Sequence, residues 1–584
     1  MIALAVVAFV VGAVVGSHHG GSPQAKLVDQ FVAAWSRGDY QTMYGDVDAA
    51  ARRQTSEQQF AHLYEQALTT ATAGRLRVAG PARAGAASAL RVPVEVQTKL
   101  WGRLHLAFTF RTRSSEAEGT RILWTRALVF PGLRAGEQLS RHTYLPRRAT
   151  LLARDGSVLA ESSPASAGQP ATTEETRNSP LGEAASAVLG TVGPIPASRL
   201  AVLEAEGVPA NAEVGLSGVE LALDAHLRGT PGGELLAGTR PLASVAAHAA
   251  PAVHTTVSPS LQQDAVTALG SHYGGIVAFK PSSGEILAVA GIGLDGLQPP
   301  GSTFKIVTLT GVLQAKLATP RTVFPYATYA TLDGVKLNNA NGEDCGGSLE
   351  LSFAVSCNSV FTPLGVKLGA PRLVATAEHF GFNQEPSVAG AAESSLPPAS
   401  DIQGELAVGS TAIGQGEVLA TPLQMATVAG TIADDGHRPS PTFLPSHPHL
   451  GPTVMSPTVA HTVRHLMTEV VREGTGTSAA IPGVVVAGKT GTAELKTPCK
   501  PEGEARETEP AGEGEDESEN ENEEGHESCH EEEASNTDAW FAAFAPARNP
   551  RIVVCVMLVK DGAGGDTAAP LAKEVLESAL RSGV

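Results

Sequence analysis

A serine three residues ahead of a lysine, Ser302 and Lys305 in "QPPGSTFKIVTLTG", is the first place where residue types and spacing could do chemistry. Residues three apart on a helix share a face, so the two would be neighbours just after the Pro-Pro-Gly turn. Helix N-terminal amides favour a developing negative charge. Burial and nearby cations can hold a lysine neutral enough to take a serine proton. The pair therefore reads as a nucleophile and its base. The plain alternative is that Ser302 caps the helix.

The chain holds no other Ser-x-x-Lys, and two further elements follow in order. "SCN" is Ser356-Cys357-Asn358; the only other Ser-x-Asn lies in an acidic tract. "AGKTGTAEL" carries Lys489, Thr490, Gly491 and Thr492 and is expected to close a strand made of the β-branched run "VVVAG". It offers a cation, two hydroxyls and, through glycine, close backbone approach to a ligand. Each element alone is commonplace. Their order, about fifty and then about one hundred and thirty residues apart, is specific.

These residues need a scaffold. "GGIVAFKPSSGEILAVAG" reads as two strands around a turn, and "AWFAAFAP" and "RIVVCVMLVK" as further strands before an amphipathic helix, "AAPLAKEVLESALRSG". Upstream, "AKLVDQFVAAWSRGDYQTMY" has helical spacing, and "TSEQQFAHLYEQAL" places Ser56 ahead of Glu57 in an approximate capping signature. Three extended segments follow, "ALRVPVEVQTKL", "GRLHLAFTFRTR" and "RILWTRALVF", with Leu104, Leu106, Phe108 and Phe110 alternating on one face. Helices followed by an antiparallel sheet make a small α+β domain. Residues 141–255 are rich in Gly, Pro and Ser and read as an irregular connecting domain.

Length and charge bound the rest. A chain of 584 residues is too long for one core, so several domains are expected. The net charge of −18 excludes nucleic acid as a partner, because phosphate binding needs clustered Lys and Arg. Residues 501–533 hold fifteen Glu and one Asp against a single Arg, which is fifteen of those eighteen charges. The acidity thus belongs to an insert over 500–535 that cannot bury enough apolar surface to fold. Its bland role is a solvated loop; the sharper one is modulation of substrate approach or binding of a partner.

"MIALAVVAFVVGAVVG" is apolar but shorter than the ~20 residues that cross a bilayer, and it lacks the basic start of a signal peptide. It is read as an uncleaved anchor over 1–20 whose start lies upstream, with a buried core helix as the alternative. If the chain is exported, disulfides are permitted: Cys345 could pair with Cys357, and Cys499 with Cys529. His526, Cys529, His530 and Cys499 could instead bind metal, but in a low-complexity acidic setting no metal site is assigned. Cys555 reads as a buried strand residue.

The three motifs together resemble the penicillin-recognising serine acyl transferases, and the flanking residues are similar to class B penicillin-binding proteins. "PPGSTFK" resembles that family's nucleophile segment, "AIGQGEVLATPLQMA" its helix between the second and third motifs, and "DAWFAAFAP" its strand after K-T-G. "EVGLSGVELALDAHLRGTPG" is similar to the non-catalytic pedestal. "WTRALVFPGLRAGEQL" leading into "RRATLLARDGSVLA" resembles the subgroup of the methicillin-resistance transpeptidase, with Ala149 and Ala153 standing where the family places glycine and aspartate. The resemblance implies a multidomain α+β protein. After the anchor would come a cone-shaped nuclear-transport-factor-like domain (21–140), a pedestal or dimerisation domain (141–255) and a transpeptidase domain (256–584) related to serine β-lactamases and D,D-peptidases.

It also implies roles. Ser302 would be acylated and Lys305 would be its base; Ser356 would relay a proton to the leaving amine, with Lys489 keeping it poised and Asn358 bonding the substrate amide. The amides of Ser302 and Thr492 would form an oxyanion hole, and Thr490 and Thr492 would hold the substrate carboxylate beside Gly491. Gln415 and Gly416 read as structural supports. The implied activity is a peptidoglycan D,D-transpeptidase that is acylated by β-lactams, needs no cofactor and faces outward from the cell membrane. Stem peptides are its substrates, and a separate membrane glycan polymerase its partner. The alternatives are a D,D-carboxypeptidase or β-lactamase, and a non-catalytic β-lactam-binding scaffold or sensor. A Glu-x-x-Leu-Asn signature for a deacylating water is absent between residues 358 and 489.

Overall fold

The computed structural model describes residues 22–85, 88–162, 177–494 and 536–583. The expected anchor, the acidic insert and the Cys499, His526, Cys529 and His530 group lie outside them. No helix among the described residues is long and apolar enough to cross a membrane. The chain divides into two compact units, and residues 141–255 are shared between them.

The N-terminal unit opens on α1 (Pro23–Arg37), where Ser22 accepts from the Ala25 amide and proline takes the first turn. Val28, Phe31, Val32 and Trp35 recur at helical spacing and are buried. Helix α2 (Glu57–Thr70) starts in a capping box, but its partner is Gln59: the Gln59 amide bonds the Ser56 hydroxyl and the Gln59 side chain accepts from the Ser56 amide. These helices pack with an antiparallel sheet containing β1 (Ala73–Val78), β2 (Leu90–Thr98) and β3 (Arg103–Phe110). Leu104, Phe108 and Phe110 are buried, as the alternation predicts. The third extended segment differs. Its strand stops at Ile122, and Arg126–Leu128 form a 3-10 turn. Trp124 leaves the ladder because its indole bonds Tyr64 (3.1 Å) and its amide bonds Asp48 (3.3 Å). A three-stranded sheet of Leu139–Tyr144, Gly232–Ala237 and Arg240–Val245 also belongs to this unit.

The second unit is organised by a five-stranded antiparallel sheet. Its strands are β4 (Gly274–Phe279), β5 (Ile286–Gly291), β6 (Ala487–Glu494), β7 (Thr537–Ala545) and β8 (Ile552–Leu558), in spatial order β5-β4-β8-β7-β6. β7 and β8 are buried along their whole length, which explains the apolar runs over 539–545 and 552–558. Helix α3 (Pro259–Leu269) and the C-terminal helix, Ala568–Arg581, cover one face with alanine, valine and leucine. Pro422–Ala433, also a helix, packs on the strands as well.

The K-T-G-T motif does not close its strand. β6 begins at Ala487, so the motif occupies its middle, and the preceding valines are not part of it. Ile481 and Val484 bridge across a tight Pro-Gly turn and Val485 is largely exposed, so the β-branched run is spent on entering the sheet.

Candidate active site

Ser302 lies in a 3-10 turn, Gly301–Phe304, that runs directly into α4 (Lys305–Gln314). Its hydroxyl makes no capping bond, so it is not a helix cap in the ordinary sense. The turn is fixed by the bond from the Gly301 amide to Gly414 O (3.0 Å) and by the Thr303 hydroxyl on Pro300 O (2.6 Å). Gly301 has φ +51°, and a Cβ there would stand 2.7 Å from Thr492 O. Only glycine permits that approach between the nucleophile turn and β6.

Lys305 is fully buried. Its Nζ lies 2.6 Å from Ser356 O, 2.6 Å from Asn358 Oδ1 and 3.3 Å from Ser356 Oγ, and 5.6 Å from the centre of the Phe361 ring. Burial first, and the Lys489 charge second, push its pKa well below the ordinary lysine value. As a neutral amine, the form its lowered pKa favours, Lys305 would donate to the two carbonyl oxygens, which can only accept, and would keep a lone pair for a hydroxyl proton.

Ser356 sits between α5 (Leu349–Ala354) and α6 (Asn358–Leu368) at φ +65°, a left-handed conformation costing about 1–3 kcal/mol for a residue with a side chain. Bonds from the Ser356 amide to Phe353 O and the Cys357 amide to Ser352 O hold it there. Cys357 is bridged to Cys345, with Cα atoms 5.9 Å apart. Asn358 is oriented by donating to Asn338 O (2.8 Å), which turns its carbonyl oxygen toward Lys305.

The second buried lysine arrives from β6. Lys489 Nζ is 2.9 Å from Ser356 Oγ and 3.1 Å from Thr490 O, and it lies 5.6 Å from the Phe353 ring centre. Burial lowers its pKa to about 7. Lys305, Ser356, Asn358 and Lys489 thus converge. Ser302 and Lys305, three residues apart, are not hydrogen-bonded to each other here.

Gly491 is also bare for a reason within the fold. A Cβ there would come within 2.7 Å of Pro300 O and 2.9 Å of the Trp540 Cβ, so its bareness lets β6 lie against the nucleophile turn. Sequence reading missed Asn338, Gly414, Thr475 and Gly564. Thr475 Oγ1 is 2.5 Å from Thr490 Oγ1, and the Gly564 amide donates to Thr492 Oγ1 (3.3 Å). None has a spacing signature, because each reaches the site through the fold. Outside it, Glu350, His465 and Glu469 lie together: His465 is 3.2 Å from Glu350, and Arg472 lies against Glu469.

The family model for the penicillin-binding protein transpeptidase domain matches residues 274–509 and 520–577. The chain belongs to the penicillin-binding protein transpeptidases. The penicillin-binding protein dimerisation domain matches residues 165–239, and the NTF2-like N-terminal transpeptidase domain matches 22–137, which makes this a class B member with that N-terminal domain. A peptidoglycan D,D-transpeptidase, PbpA, from Mycolicibacterium smegmatis is 33% identical over 401 residues, which is 57% of this chain and 73% of that one. The peptidoglycan D,D-transpeptidase MrdA of Acinetobacter baumannii is 26% identical over 69% of this chain and 66% of its own. Among solved structures, penicillin-binding protein A from Mycobacterium tuberculosis as a ceftriaxone acyl-enzyme has a TM-score of 0.57 and 25% identity, covering 74% of this chain and 98% of that one.

Proposed function

We propose that this penicillin-binding protein is a peptidoglycan D,D-transpeptidase that cross-links stem peptides through a serine acyl-enzyme and is acylated by β-lactams on the same serine. The observation that carries the reading is the meeting of two buried lysines on Ser356, one of them also held by the Ser356 and Asn358 carbonyl oxygens.

In this reading Ser302 Oγ attacks the carbonyl of the penultimate D-alanine as its proton passes to the Lys305 lone pair. The oxyanion is held by the Ser302 and Thr492 amides. Ser356, kept polarised by Lys489, hands its proton to the departing D-alanine amine and takes the one that Lys305 removed from Ser302, and Asn358 bonds the substrate amide. Thr490 and Thr492 receive the terminal carboxylate. An amine from a neighbouring strand then takes the acyl group and Ser302 recovers its proton. An N-terminal anchor would hold the enzyme at the outer face of the membrane, where a separate glycan polymerase supplies the strands.

Treating the full-length chain and Ser302→Ala with a fluorescent penicillin tests this. The wild type is expected to carry covalent label and the variant none. An unlabelled wild type sinks the acyl-enzyme mechanism, and a labelled variant removes Ser302 from it. Incubation with a D-Ala-D-Ala stem peptide and an acceptor amine should yield a new amide; release of the free acid alone would make the enzyme a carboxypeptidase.

A further inference from the structure

We propose that Thr475 is a positioning residue for the Thr490 hydroxyl, deciding whether the site offers a proton or a lone pair to the substrate carboxylate. The inference rests on the reading that Thr490 meets that carboxylate.

Thr475 follows the helix Pro457–Glu473 and Gly474, and it joins two motif segments. Its amide donates to Ala354 O (3.1 Å), two residues before Ser356, and its hydroxyl lies 3.5 Å from the same oxygen and 2.5 Å from Thr490 Oγ1. Thr490 is 4% exposed, whereas Thr475 is exposed.

Each hydroxyl owns one proton, so a hydroxyl pair has one donor and one acceptor. If Thr475 spends its proton on Ala354 O, Thr490 must donate to Thr475, and the Thr490 oxygen then turns lone pairs toward an incoming carboxylate. If Thr475 donates to Thr490, the Thr490 proton is released for the carboxylate. The 2.5 Å contact is common to both arrangements, and the first adds only a 3.5 Å bond, beyond the usual O–H···O range, so the second arrangement gives up little. It also leaves Ala354 O satisfied by the Thr475 amide. The other threonine of the motif is served in the same sense. The Gly564 N–H behind Thr492 cannot reverse, so Thr492 Oγ1 accepts there and its own proton is free. Thr490 has a rotatable hydroxyl in place of a fixed amide, and Thr475 supplies it.

The test compares acylation of the full-length wild type, Thr475→Val and Thr475→Ser by benzylpenicillin and by its methyl ester. Valine keeps the shape and removes the donor; thermal melting checks that each variant is folded. Thr475→Val is expected to slow acylation by the free acid about tenfold, the scale of a charge-assisted hydrogen bond, to change the ester less than about twofold, and to be rescued by serine. An equal loss with acid and ester, or no loss with either, overturns the assignment. The wild-type ratio is a separate control: if wild type reacts equally with acid and ester, the carboxylate reading of Thr490 falls first and takes this inference with it.

Discussion

Large rings fill the core of the N-terminal unit, whereas in the catalytic unit the segments around the site meet at glycines, with the Phe353 and Phe361 rings beside the buried lysines. In the first, Phe31, Trp35, Phe60, Tyr64, Phe108 and Phe110 are buried, and Trp35 meets Phe108 edge-on at 5.0 Å. In the second, the segments that meet around Ser302 do so at Gly301, Gly414 and Gly491, and two lysines are fully buried. Large rings fill space and stabilise, but they hold backbones apart. Small residues bring three distant segments to hydrogen-bond distance, and the unit then carries the desolvation of two amines. One core is arranged for stability, the other for proximity.

If so, activity and stability should separate on mutation. The largest effect belongs to Lys305→Met. It removes the proposed base, so acylation should fall roughly a thousandfold or more. Melting should change little, since a desolvated amine is lost together with its bonds to Ser356 O and Asn358 Oδ1. Rate constants with penicillin and a melting curve of the same sample check this. A fast Lys305→Met enzyme would exclude the lysine as base, and a collapsed one would make it a structural residue.

Phe108→Ala is the reciprocal case. Truncating a fully buried ring that packs against Trp35 should cost about 3–5 kcal/mol of stability, read by denaturant unfolding. Acylation per folded molecule should be unchanged. A loss of rate beyond the loss of folded protein would mean that the two cores are coupled.

The same contrast governs what the sequence reveals. The aromatic core is periodic, so α1 and β3 could be read from spacing, and the three motifs were visible because their residue types are rare in that order. The contacts that make a site of them were not. The motif shows Gly491 but not that its bareness admits Pro300 O. The valines before K-T-G-T have strand propensity, yet the Pro-Gly turn between Ile481 and Val484 takes them out of the ladder. Ser302 and Lys305 are adjacent by spacing, but Lys305 is drawn to the Ser356 carbonyl because a buried amine goes where acceptors are. Thr475 and Gly564 carry no pattern at all. Periodicity reports which face is buried; it does not report which distant oxygen will stand behind a threonine.

The mildest way to sharpen the comparison is to leave every side chain in place and change pH. Lys489 has its pKa lowered by burial to about 7. In the proposed role it must stay protonated to polarise Ser356, so acylation should decline above that pH, by about tenfold per unit once the amine is neutral. Lys305 works in the opposite sense. Its pKa is held well below the ordinary lysine range by burial and by the Lys489 charge, and it must be neutral to accept a proton. Acidification therefore protonates it, and the rate falls on that side too, giving a bell. Lys489→Arg distinguishes the limbs, because a guanidinium keeps its charge throughout: the alkaline limb should disappear while the acid limb persists. A wild-type profile that is flat from pH 7 to pH 9 would remove the charge on Lys489 from the mechanism and leave that lysine as a hydrogen-bond donor alone.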